Sequence, residues 1–171
     1  MKGFTRNNPY LSLCGLNCRL CSMNLAGHCG GCGFGNQSCP IARCSLAHGS
    51  LQYCFECSAY PCEKYDDIDA FDSFITHKNQ KADLEKARRD MDAYISEQIQ
   101  KRRILERLLE DYNDGRKKTL FCLAVNLMPI RDLLDAFVDG DMDLPLKDRA
   151  RLMEKRLKEK SNTELKLRKK K

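Results

Sequence analysis

A chain of 171 residues with a formal net charge of +6 and eleven cysteines has room for one domain, or for a small one joined to a larger one. No apolar run approaches membrane-spanning length. The first thirteen residues also lack a basic stretch followed by a long apolar core, so the sequence points away from the membrane and the secretory route and toward the cytoplasm. In a reducing cytosol, dense cysteine argues for bound metal or redox chemistry rather than disulfides.

Composition divides the chain. Residues 1–64 hold ten of the eleven cysteines and most of the glycines, with few large apolar side chains, whereas residues 65–171 hold one cysteine and dense charge. The first region cannot offset its ordering entropy by burial alone, and bound metal would supply the shortfall. The sequence therefore predicts a mainly α protein: an irregular cysteine-rich, metal-binding region over 1–64, a helical hairpin or bundle over 65–162, and a basic tail over 163–171. The tail carries Lys166, Arg168, Lys169, Lys170 and Lys171. Such a run is expected to be solvated, and binding to nucleic acid is the alternative.

In chain order, the cysteines come first: Cys14, Cys18 and Cys21, then Cys29 and Cys32, Cys39 and Cys44, and Cys54, Cys57 and Cys62. Thiolates two to four residues apart can turn toward one ion, while disulfides between such neighbours would close strained loops. All ten are candidate metal ligands. Cys29-Gly30-Gly31-Cys32 with Cys39 and Cys44 reads as one compact tetrahedral site, because paired glycines let the backbone turn sharply. The other six cysteines fit one site with two left over, or two zinc ions sharing thiolates. Three separate sites would need twelve ligands, a total reached only with His28 and His48. Zinc is the expected metal. An iron–sulfur cluster is the alternative, since all-cysteine sites suit both.

The helical region opens at residues 65–76, where Asp66, Asp67 and Asp69 precede Ile68, Phe71, Phe74 and Ile75 at helical spacing. A long amphipathic pattern follows. Leu84, Met91, Leu105 and Tyr112 share one heptad position, Ala87, Tyr94 and Leu108 another, and Gln98 and Lys101 interrupt the seam before Asn113-Asp114-Gly115 ends it. Residues 119–128 form an apolar, buried element in which Cys122 reads as a structural thiol. Pro129 then starts a helix expected to stop at Gly140, and residues 144–160 form a last basic helix.

The spacing Cys14-x3-Cys18-x2-Cys21 resembles the cluster loop of radical S-adenosylmethionine enzymes, but the rest of the chain offers no alternating strands for their barrel. A wider likeness rests on more residues. Cys14-Gly15-Leu16-Asn17-Cys18 with Cys21, the Cys29–Cys32 and Cys39–Cys44 pairs, Cys54 with Cys57, and Tyr60-Pro61-Cys62-Glu63-Lys64 together resemble a prokaryotic cysteine-rich family catalogued as domain of unknown function 3795. The likeness covers about residues 11–65, and segments around Phe71 and Phe121 look like longer members. It implies a metal-binding module with no assigned reaction and all ten cysteines in place.

No phosphate loop, helically spaced histidine pair or nucleophile elbow appears. All-cysteine sites are usually closed and structural. The sequence thus favours a metal-binding module whose helical half meets a protein partner over an enzyme, with iron–sulfur redox and nucleic-acid binding as the alternatives.

Overall fold

Polar side chains set where the helices of this chain stop. The computed structural model describes residues 2–35 and 39–169, and among these it contains α-helices and short 3-10 turns but no strand. The helices are α1 (Ser22–Leu25), α2 (Pro40–Ala47), α3 (Gln80–Arg89), α4 (Met91–Asp111), α5 (Lys118–Leu127), α6 (Ile130–Leu134) and α7 (Leu146–Lys160). The mainly α architecture expected from the pattern is what the chain adopts, with an irregular cysteine-rich region ahead of it.

The long amphipathic stretch is two helices. Asp90 takes an extended conformation between α3 and α4, and its carboxylate accepts from the Ala93 N–H at 2.9 Å, capping α4. The heptad positions survive the break, since Leu84, Ala87, Tyr94, Leu105, Leu108 and Tyr112 are all buried. Lys86 of α3 pairs with Glu97 of α4 across the bend at 2.6 Å.

Residues 66–76 do not form the expected helix. The buried Asp72 carboxylate takes the His77 N–H at 2.7 Å and the Thr76 hydroxyl at 3.4 Å, so a local side-chain bond competes with helical pairing. Phe71 and Phe74 consequently stay exposed. The helix after Pro129 is also shorter than expected and ends at Leu134 rather than near Gly140. Conversely, α2 is a regular helix inside the cysteine-rich region, with Pro40 in its first turn, where a missing N–H costs nothing.

The main core packs Leu105, Leu108 and Tyr112 of α4 against Phe121 to Val125 of α5, Leu133 of α6 and Met153 and Leu157 of α7. Leu20, from the cysteine-rich region, is fully buried in that same cluster. A second cluster joins Leu11 and Tyr65 to Leu84, Ala87 and Tyr94. The apolar clusters therefore run across the composition boundary at residue 64. Only the third, around Phe4, Leu13 and Ala42, lies wholly within the first region.

The tail is docked through Leu165 and Arg168, while Lys166 and Lys169 are exposed as the solvated reading expects. Leu165 is buried in the main core, Lys78 donates to the Thr163 hydroxyl and the Glu164 carbonyl, and Arg168 binds Asp72 through both its backbone N–H and its guanidinium. Lys170 and Lys171 lie outside the described residues.

Candidate metal centre

The loop bearing Cys14, Cys18 and Cys21 is held from three helices. Gln80 of α3 donates to the Cys14 carbonyl at 3.1 Å, Asn17 donates to Gln98 of α4 at 2.9 Å, and Asn126 of α5 donates to the Leu20 carbonyl at 3.3 Å. Arg102 of α4 adds a bond to the Arg19 carbonyl at 2.7 Å. Gly15 is required where the loop meets α3, because its φ is +103° and a side chain there would overlap the Gln80 carbonyl oxygen. The polar breaks in the seam thus have a function: Gln98 is one of the residues that grip the cysteine loop.

Backbone amides face the sulfurs. The Leu13 N–H is directed at Cys32 (3.5 Å) and the Gly31 N–H at Cys29 (3.4 Å), and the Cys32 amide lowers Cys18. Donors aimed at sulfur favour the thiolate. Burial works against them and wins: it raises Cys14 and pushes Cys18 to about 12, Cys32 to about 11 and Cys54 to about 12. In the metal-free chain these groups are therefore thiols at neutral pH. A cation would supply the charge that burial withholds.

Electrostatic neighbours divide the cysteines differently from the sequence reading. Cys32 feels Cys14 and Cys39, Cys18 feels Cys32, Cys14 and Cys21, and Cys14 feels Cys39, so Cys14, Cys18, Cys32 and Cys39 influence one another as an inner group with Cys21 at the edge of that set. Cys44, which was expected beside Cys32 and Cys39, instead lines a cavity of about 40 Å³ with Cys54, Cys57 and Cys62. Cys54 faces both groups, since Cys14, Cys62 and Cys44 all raise it. Cys21 turns toward the Phe74 carbonyl at 3.8 Å, and Cys29 accepts from its own loop. The grouping Cys29, Cys32, Cys39 and Cys44 does not form as one set. Cys39 is the N-cap of α2 and Cys44 lies in its last turn, so a stretch of helix stands between them.

None of the eleven cysteines is in a disulfide. Among the described residues no three His, Cys, Asp or Glu side chains converge closely enough to hold an ion in their present rotamers. The sulfurs stand as two groups that side-chain rotation would have to draw together.

Sequence reasoning missed Arg6, Gln80, Gln98, Tyr60 and Tyr65 as parts of this region. Arg6 is only 4% exposed, donates to the Leu11 carbonyl at 2.9 Å and stacks over Tyr53, yet its Nε and Nη1 are buried without partners. It makes no ion pair with a carboxylate among the described residues, and its charge lowers Cys32. The Tyr65 hydroxyl is buried beside the Cys54 sulfur with no hydrogen-bond partner of ordinary geometry, and burial followed by that sulfur raises its pKa far above the usual phenol range. His48 sits at the outer cavity with Nδ1 2.8 Å from the Cys44 carbonyl, which can only accept, so that nitrogen donates.

Comparison with protein-family models, curated proteins and solved structures finds no match.

Proposed function

We propose that this chain is a cytoplasmic metal-binding module, with zinc as the metal, whose inner ligands are Cys14, Cys18, Cys32 and Cys39. The observation that carries the reading is Arg6, a buried guanidinium with two unpaired nitrogens and no carboxylate, set beside Cys32. An uncompensated buried cation costs several kcal/mol. Four thiolates around a divalent ion leave a net negative charge, which is the counter-charge this guanidinium lacks. The amides aimed at sulfur support the same reading, as does the likeness to the cysteine-rich family of unknown function.

Zinc bound here would supply closed, four-thiolate cross-linking of a region that is short of apolar burial. Apparent structural zinc affinities of roughly 10–16 kcal/mol are enough to decide whether such a region folds. The helices grip the cysteine loop and leave Leu134, Val138, Met142, Leu144 and Leu146 exposed together around the α6–α7 connection. That apolar surface is where a protein partner would meet the module. Nucleic-acid binding is weakened as a reading because Arg168, one of the five tail cations, is already paired with Asp72.

Element analysis of anaerobically purified protein tests the proposal. Zinc in colourless protein, lost to a strong chelator together with protection of residues 1–64 from proteolysis, is the expected result. Iron with acid-labile sulfide would replace zinc by a cluster, and protein that takes up no metal would sink the reading.

A further inference from the structure

The outer cavity has its own chemistry, apart from the inner group that Arg6 faces. It is lined by Cys44 from α2, by Cys54 and Cys57 on either side of a short 3-10 turn, and by Cys62 just before another, with Leu13, Ile41, Leu51 and Tyr65 filling the wall. Its volume is about 40 Å³. Small-molecule sites run to roughly 300 Å³ or more, whereas one water needs only roughly 10–15 Å³, so the space suits an ion and not a metabolite. The backbone is fixed on all sides: the Cys54 N–H donates to the Leu13 carbonyl at 3.0 Å, the Cys57 N–H to the Cys54 carbonyl at 3.1 Å, and the Tyr65 N–H to the Cys62 carbonyl at 2.8 Å. Glu56 ties the 3-10 turn from beneath by accepting from the Gln52 and Tyr53 amides. Four thiols from three segments thus share one ion-sized space, on a backbone that hydrogen bonds hold in place.

We infer that Cys44, Cys54, Cys57 and Cys62 form a second site for a thiophilic divalent cation, separately loaded from the inner one. The inference rests on the metal-binding reading above and adds to it the second ion and its ligand set. Rotation of the four side chains into the cavity completes a tetrahedral set, and each thiol gives up its proton to solvent as the ion binds. The site opens to the surface beside the exposed His48 and Lys64. The outer ion is therefore the one to exchange first.

Cobalt(II) titration of the metal-free full chain, followed by its thiolate charge-transfer absorption, reads the number of ions. Two equivalents are expected for the natural sequence, one for the Cys57→Ser/Cys62→Ser variant, and one for Cys18→Ser. A single equivalent in the natural chain, or loss of both ions in the Cys57→Ser/Cys62→Ser variant, would overturn the separate second site and leave the metal-binding reading standing. No cobalt uptake at all would overturn both. Because the serine variants can misfold, the natural chain loaded with zinc is also alkylated with iodoacetamide and its cysteines are mapped by mass spectrometry. Mild chelation should expose Cys44, Cys54, Cys57 and Cys62 as a set before Cys14, Cys18, Cys32 and Cys39. Simultaneous exposure of all eight would again count against two separately loaded sites.

Discussion

Asn17 donates its side-chain amide to Gln98 Oε1 at 2.9 Å with both residues buried, and this bond joins the cysteine loop to the middle of α4. Cutting it from either side leaves a buried polar group without its partner. Asn17→Ala and Gln98→Ala should each cost about 1–3 kcal/mol, and the double variant should cost less than their sum, because the second change removes the orphan left by the first. Urea denaturation of the metal-loaded protein measures the coupling. Strict additivity would mean that the pair does not act as a unit.

The loop also meets α3 at Gly15, whose backbone conformation and closeness to the Gln80 carbonyl exclude a side chain. Gly15→Ala combines left-handed backbone strain with a clash against main chain, and about 2–4 kcal/mol is expected. The loss should appear both in the denaturation midpoint and as weaker binding of the first ion. Gly35→Ala, where a side chain would meet open space, should cost less despite its own positive φ.

The tail is held by an acid-sensitive contact. Asp72 accepts from the Arg168 backbone at 2.7 Å and from its guanidinium at 2.8 Å. Although burial opposes ionisation, Arg168 and the His77 amide lower Asp72 from 3.8 to about 2. The folded value lies below the unfolded one, so the stabilisation is complete above about pH 4 and disappears as the pH falls through 3.8 toward 2. With Arg168 37% exposed, solvent screening reduces the contribution to about 1–2 kcal/mol. Asp72→Asn at neutral pH should reproduce the acid effect, seen as faster hydrogen exchange over residues 161–169. Unchanged exchange in that variant would show that Leu165 and the Lys78 bonds hold the tail without it.

Cys122 behaves differently from the other ten cysteines. It is buried in the main core, and burial pushes its thiol to about 12. Cys122→Ala should cost about 1 kcal/mol from lost packing and leave the metal content unchanged. The native thiol should resist iodoacetamide at pH 8 until the chain is unfolded. A lower metal content in the variant would instead bring Cys122 into a ligand set.

Much of the helical half was legible in the sequence. The heptad positions of Leu84, Leu105 and Tyr112 and the apolar run around Phe121 rest on local periodicity, which a linear pattern records, whereas the break at Asp90 that divides the long stretch into α3 and α4 was not read from it. The failure over residues 66–76 has a clear cause. Four acids and well-spaced apolar residues do describe a helix, but the buried Asp72 carboxylate is taken both by the nearby His77 amide and by Arg168, 96 residues away, and no local pattern contains the second partner.

The sequence alone established that the thiols come in closely set groups ahead of a mainly helical half. It took the tertiary structure to decide that the Cys14–Cys21 loop packs against α3, α4 and α5, and that Cys44 lines one cavity with Cys54, Cys57 and Cys62, because those contacts join segments far apart in the chain. Sequence neighbours share a site only where the backbone between them turns back on itself. Here a helix separates Cys39 from Cys44, and the grip on the cysteine loop comes from Gln80 and Gln98, whose partners lie 66 and 81 residues away.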